Sequence, residues 1–207
     1  SEGEGIDLVL GGGRANFLPK SESDPERPEV TGERLDDRDL ILEWLRARSN
    51  RTYVWNLEQF NALVPSSEGQ ILGLFEPATM LFNEERIRGA GDEPSLTEMT
   101  TFAINFMQAS SDNQPGYFLI IEGARIDHGN HFKNPFLALT ETVEFSNAIR
   151  AAMELVDLEE TLFLVTADHS SSLAFTGYPE ADMPVLASLS YPSFTFMAGD
   201  GFQQDHM

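Results

Sequence analysis

The chain has 207 residues, 41% of them hydrophobic, which is enough for one domain with a real core and too few for two large ones. Its 34 acidic residues outnumber 13 basic ones, for a net charge of -21, and this disfavours nucleic acid, whose phosphates are bound through Lys and Arg. Cysteine is absent, which excludes disulfides and thiolate metal sites, so any metal must be held by oxygen and imidazole.

No stretch approaches the ~20 consecutive apolar residues of a membrane span. The start, Ser1-Glu2-Gly3-Glu4, has neither the positive end nor the apolar run of a signal peptide, so a signal is expected only outside this sequence. Residues 6–10 form the first expected strand. The polar, proline-bearing stretch 19–32 reads as a long loop. Leu40, Ile41, Trp44 and Leu45 then repeat at helical spacing after the cap-forming Asp36 and Asp37. Strands are expected at 52–55 and 71–75. Ser95 and Glu98 form a capping box after Pro94, and Leu96, Met99, Phe102, Ala103, Phe106 and Met107 mark the buried face of the helix that follows. A strand at 117–121 precedes a helix starting at Pro135, with Leu139, Val143, Ile149 and Met153 expected on its inner side. Further strands are expected at 161–166 and 193–197. This alternation predicts an α/β fold with a mostly parallel central sheet and helices on both faces. A strand near one terminus and another close to Met207 give the expectation that the fold is incomplete at both ends.

The chemistry concentrates in two blocks. EGARIDHGNH, residues 122–131, follows the apolar run YFLII, and in an open α/β sheet ligands bind beyond the carboxyl ends of the strands. Asp127 and His131 are four apart and share one face if the segment is helical, so that a carboxylate and an imidazole can grip one cation. TADHS, residues 166–170, follows TLFLV and puts Asp168 and His169 at a second strand end. A right-handed crossover through the helix at 135–155 brings both ends to one sheet edge. Either block alone also suits an ordinary cap or turn. Together they favour a metal site: Glu122 suits magnesium, the histidine-containing pairs suit zinc, and a two-zinc site clamps the oxygens of a phosphoryl transfer.

The strings VLGGGR, YVWN, GLFEP, PSLTEMT, EGARIDHGNH, ALTETVEF and TADHS, in this order along almost the whole chain, resemble the alkaline phosphatases. The resemblance implies that residues 1–207 are part of a single catalytic domain, with a calcium-binding region within 19–115 and the metal-binding core at 117–175. It implies Glu122 as the magnesium ligand, Asp127 and His131 on one zinc, and Asp168 and His169 on the other. Glu26, the Phe75 carbonyl, Glu76 and Glu93 are the implied calcium ligands, with Asp92 an alternative to Glu93. The implied activity is hydrolysis of phosphate monoesters through a phosphoserine, by an extracellular, cell-surface or periplasmic homodimer with any membrane anchor outside this sequence. The family's nucleophile is a serine following an aspartate, and no aspartate here is followed by serine, so the chain as given is expected to be inactive alone. The family's phosphate-holding arginine, its amino-terminal metal-bridging aspartate and a third zinc histidine are also missing. Asn130 and Ser171 stand where histidines are common in the family; His128 is expected to neighbour the site, His206 matches no motif, and Arg14 and Arg125 are expected to be structural. The alternatives are a noncatalytic metal-binding fragment, or a sister phosphodiesterase of the same superfamily, which would not carry GLFEP, PSLTEMT and ALTETVEF together.

Overall fold

The computed structural model describes residues 5–66, 69–89, 91–110, 116–177 and 194–196. Three short strands, β1 (Leu8–Gly11), β2 (Arg51–Val54) and β3 (Gln70–Leu74), form a parallel sheet in the order β1-β3-β2. Every residue of β3 is buried, as befits a central strand that is apolar on both faces. Its alternation feeds two cores. Ile71 packs with Val54, Phe60, Phe75, Phe102 and Phe106 on one face, while Leu72 and Leu74 pack with Leu18 and Ile41 on the other. Burying each of these large side chains is worth roughly 1.5–3 kcal/mol. Gly73 is tightly packed: a Cβ would lie 2.7 Å from side-chain atoms of both Leu10 and Phe75, which would have to shift.

Helices cover both faces. Helix α1 (Leu40–Ala47) supplies Ile41 and Trp44 to one core; α2 (Leu57–Asn61) and α4 (Leu96–Ser110) supply Phe60, Phe102 and Phe106 to the other. The cap of α1 is Asp39, whose carboxylate accepts from Leu42 N at 2.9 Å; of the expected caps, Asp36 instead pairs with Arg34, and Asp37 takes a left-handed backbone. The capping box of α4 forms as its spacing predicts: Glu98 N donates to Ser95 Oγ at 3.1 Å, and Ser95 N to the Glu98 carboxylate at 2.7 Å.

Helix α3 (Asn83–Ile87) and the seven-residue α5 (Arg125–His131) flank α6 (Pro135–Leu155), which opens on Pro135 after the capping Asn134. The inner face of α6 differs from expectation. Ala138, Glu141, Glu144, Ala148 and Ala152 are buried, whereas Val143 and Met153 are 60% and 43% exposed. The reason lies in the partners: small alanines admit α4 closely, and the two glutamates accept from helix N-termini, Glu141 from Asn83 N of α3 and Glu144 from Thr97 N of α4 at 3.0 Å.

Two expected strands do not form a sheet among the described residues. Segments 117–121 and 161–166 run without helix or ladder, and the side chains of Phe118, Ile120, Leu162 and Leu164 are more than three-quarters exposed. No described strand lies alongside to take their backbone hydrogen bonds. The last expected strand appears as β5 (Phe194–Phe196), antiparallel to β4 (Leu173–Phe175); Ser193 and Met197 lie outside the described residues.

Candidate metal centre

Helix α5 turns EGARIDHGNH back on itself at the end of segment 117–121. Gly129 makes this possible, because a Cβ there would fall 2.6 Å from Ala138 N of α6. Asp127 and His131 share a face, with His131 Nε2 at 3.2 Å from Asp127 Oδ2. Helix α6 then carries the chain to TADHS. His169 Nε2 lies 3.2 Å from Asp168 Oδ2 and 3.9 Å from Asp127 Oδ1, so both carboxylates flank one imidazole nitrogen. Four of the five residues expected around zinc and magnesium thus form one chain of contacts, His131 to Asp127 to His169 to Asp168.

The donor set is chemically suited to a cation. His169 Nδ1 is 2.9 Å from the Ser170 carbonyl, which can only accept, so Nδ1 carries a proton and the Nε2 lone pair faces the two carboxylates. Acceptors facing one another need a proton or a metal between them. The same Ser170 contact, then Asp168 and Asp127, raises the His169 pKa above the usual imidazole value. All four side chains are accessible, from Asp127 at 39% to Asp168 at 84% exposed. They gather as pairs: among the described residues no three His, Asp or Glu side chains are placed to hold a single ion.

Glu122 stands apart, exposed at the end of its extended segment and making no hydrogen bond within the described residues. It borders a cleft of about 680 Å³ between β1 and residues 119–123, together with Leu8, Leu10, Arg125 and His128. His206 lies outside the described residues.

The acids expected around calcium sit in a second cluster, where arginines compete for them. Arg14, wholly buried, clamps Asp24 with two bonds of 2.6 and 2.7 Å, reaches Glu26 at 2.9 Å and donates to the Leu74 carbonyl at 2.7 Å. Arg27 takes Glu76 at 2.8 Å. Glu93, not Asp92, points inward: Glu93 is 2% exposed and Asp92 is at the surface. One Glu93 oxygen accepts from Leu81 N at 2.8 Å, while Oε2 is buried without a partner. Burial, and secondarily the Glu76 charge, pushes the Glu93 pKa up to about 7. The acids are legible in the sequence, whereas the parts of Asp24 and Arg27 are not; their flanking of Glu26 in DPERP is the signal available.

The sequence profile of alkaline phosphatase matches residues 2–193. The chain is 39% identical over 178 residues to an alkaline phosphatase of Gadus morhua and 40% identical over 187 residues to the tissue-nonspecific isozyme of Gallus gallus. A membrane-bound alkaline phosphatase of Bombyx mori is 36% identical over 194 residues. These alignments cover 84%, 87% and 90% of this chain but only 36%, 35% and 34% of the relatives, so the chain spans about a third of their length. Among solved structures, the Thermus thermophilus alkaline phosphatase superposes with a TM-score of 0.57 at 24% identity, covering 73% of this chain and 28% of that one. The enzyme of the Antarctic bacterium TAB5 gives 0.52 at 26% identity, covering 72% and 36%. Profile, relatives and fold agree, and the chain belongs to the alkaline phosphatase family.

Proposed function

We propose that the protein containing this chain hydrolyses phosphate monoesters at a centre of two zinc ions and one magnesium ion, through a phosphoserine whose serine these 207 residues do not carry. The observation that supports it best is His169 Nε2 lying between the Asp168 and Asp127 carboxylates, which couples the two sequence blocks. Asp127 with His131 would hold one zinc, Asp168 with His169 the other, and Glu122 the magnesium. Bound there, the zinc ions would supply Lewis-acid stabilisation of the attacking and leaving oxygens of an in-line displacement. The chain's own part is to fix the donors and to neutralise bound cations with carboxylate charge. The Ser170 carbonyl holds the His169 tautomer, as outer partners of metal-bound imidazoles do. With a net charge of -21, the molecule repels a dianionic ester except where cations reverse the field locally.

Calcium would take Glu93, Glu76, Glu26 and the Phe75 carbonyl, an all-oxygen set that closes on one ion only once Glu76 leaves Arg27, and the unpaired Glu93 Oε2 supports this. The family resemblance further suggests a homodimeric, extracellular or cell-surface protein, in keeping with the membrane-bound relative. Among the described residues no helix is long and apolar enough to cross a membrane.

The test is to load the protein with zinc and magnesium and assay it with an aryl phosphate beside Asp168→Asn and His169→Ala. Zinc binding lost in both variants, with turnover far below a typical ~10 per second, is the expected result. Fast turnover abolished by both substitutions would place the nucleophile among the residues present and overturn the reading that these 207 residues lack it.

A further inference from the structure

We propose that Arg125 and Phe82 are positioning residues for the zinc-ligand pair on α5: the Phe82 ring grips both ends of that helix and so fixes the direction of Asp127 and His131. The inference rests on the zinc reading above. Helix α5 has seven residues, and its N-cap, Ala124, offers no side-chain bond, so the helix is too short and too poorly capped to hold its own shape. Gly129 seats one side of it against α6. What fixes the other side is aromatic. The Arg125 guanidinium, at the first position of α5, lies 3.7 Å from the centre of the Phe82 ring. Phe132, which caps the other end, meets the same ring edge-on at 5.8 Å.

Phe82 is itself immobilised. Its side chain is 2% exposed, its N–H donates to the Glu85 carboxylate at 2.9 Å, and the next N–H, that of Asn83, donates to Glu141 of α6. Arg125 does more than rest on the ring. One terminal nitrogen donates to Thr79 Oγ1 at 3.2 Å and contacts His128 Nδ1 at 2.7 Å. A guanidinium can only donate, so His128 Nδ1 accepts and the neutral ring carries its proton on Nε2. His128 is thereby kept out of the donor set beside it, and Asp127 and His131 are left as the pair that α5 presents.

The experiment titrates zinc into the purified 207-residue protein against a competing chromophoric chelator, and records the visible spectrum of the cobalt(II)-substituted form. Arg125→Ala and Phe82→Leu should each weaken zinc binding by about 10–100-fold, the usual loss when an outer partner of a metal ligand is removed. Both should change the cobalt spectrum, and Arg125→Lys, which keeps the charge but not the planar fork, should recover part of the affinity. Phe102→Leu, on the core face of α4, is the control for mere destabilisation. It should lower the melting temperature as much while leaving zinc affinity and the cobalt spectrum unchanged. Affinity within twofold of wild type in both Arg125→Ala and Phe82→Leu overturns the positioning role alone, and so does an equal loss in Phe102→Leu. If the wild type shows no zinc binding that His131→Ala or His169→Ala removes, the zinc reading itself falls and takes this inference with it.

Discussion

At the scale of single residues, the acids of this chain are contested by arginines, and the contest decides what a cation could gain. Arg14 is committed: wholly buried and spread over Asp24, Glu26 and the Leu74 carbonyl, it anchors the DPERP turn to the sheet. Arg27 is not, since its side chain is 40% exposed and regains water on leaving Glu76, whose buried carboxylate then needs another cation in its place. Glu93 gives the reason for a cation to arrive, because a buried oxygen without a partner costs about 1–3 kcal/mol. Calcium should therefore displace Arg27 and raise the melting temperature. At a hundredfold excess over Kd the gain is ~2.7 kcal/mol, or roughly 5–10 °C for a chain of this size, and Glu76→Gln should abolish most of it. A melting temperature indifferent to millimolar calcium, or a shift that survives Glu76→Gln, would remove the site. The resemblance in GLFEP and PSLTEMT made Glu76 and Glu93 legible in advance. Their present partners were not, because which arginine reaches which acid is set by tertiary packing that one-dimensional spacing does not contain.

At the scale of elements, local signals were readable and tertiary ones were not. The Ser95–Glu98 box lies within four residues and forms as its spacing requires. The pair Asp127 and His131 depends only on helical periodicity, and their side chains do meet. The inner face of α6 departs from its apolar periodicity, which selects Leu139 and Val143, because the helix turns Glu141 and Glu144 inward as caps for α3 and α4. These glutamates carry opposite expectations. Burial raises the Glu141 pKa, against the lowering effect of the Asn83 N–H bond. A carboxyl with a raised folded-state pKa contributes stability that is full below the ordinary carboxylate range and is lost as pH rises through the folded value. Glu141→Gln, which can still accept from Asn83, should match wild type near pH ~4 and become the more stable of the two toward neutrality. Glu144→Ala removes an acceptor from the α4 N-terminus and should cost about 1 kcal/mol at neutral pH. Melts across the pH range decide it; a Glu141→Gln deficit that widens toward neutral pH would mean the charged cap outweighs its burial.

At the scale of the whole molecule, segments 117–121 and 161–166 lead, after α4 and α6, into the two blocks of candidate metal ligands, and they run without helix or ladder. Both alternate as strands do: Leu119, Ile121 and Phe163 are half-buried, while Phe118, Ile120, Leu162 and Leu164 face water. Their strand character was legible in YFLII and TLFLV, but pairing needs neighbours, and the described residues supply none. Relatives about three times as long have the chain length to provide them. Produced by itself, then, the 207-residue chain exposes apolar, unpaired strands, a surface that seeks company, while a charge of -21 holds copies apart. Salt discriminates between the two forces. Raising ionic strength from 0.1 M to 1 M shortens the screening length from about 10 Å to about 3 Å, which removes most of the repulsion and leaves the apolar attraction intact. Sedimentation should therefore show self-association that grows with salt, and a double substitution Ile120→Lys and Leu164→Lys should restore the monomer at every salt concentration. Association that weakens with salt would assign the contact to charge pairs, and a wild-type chain that is monomeric even at 1 M would show that these strands are covered within the chain itself.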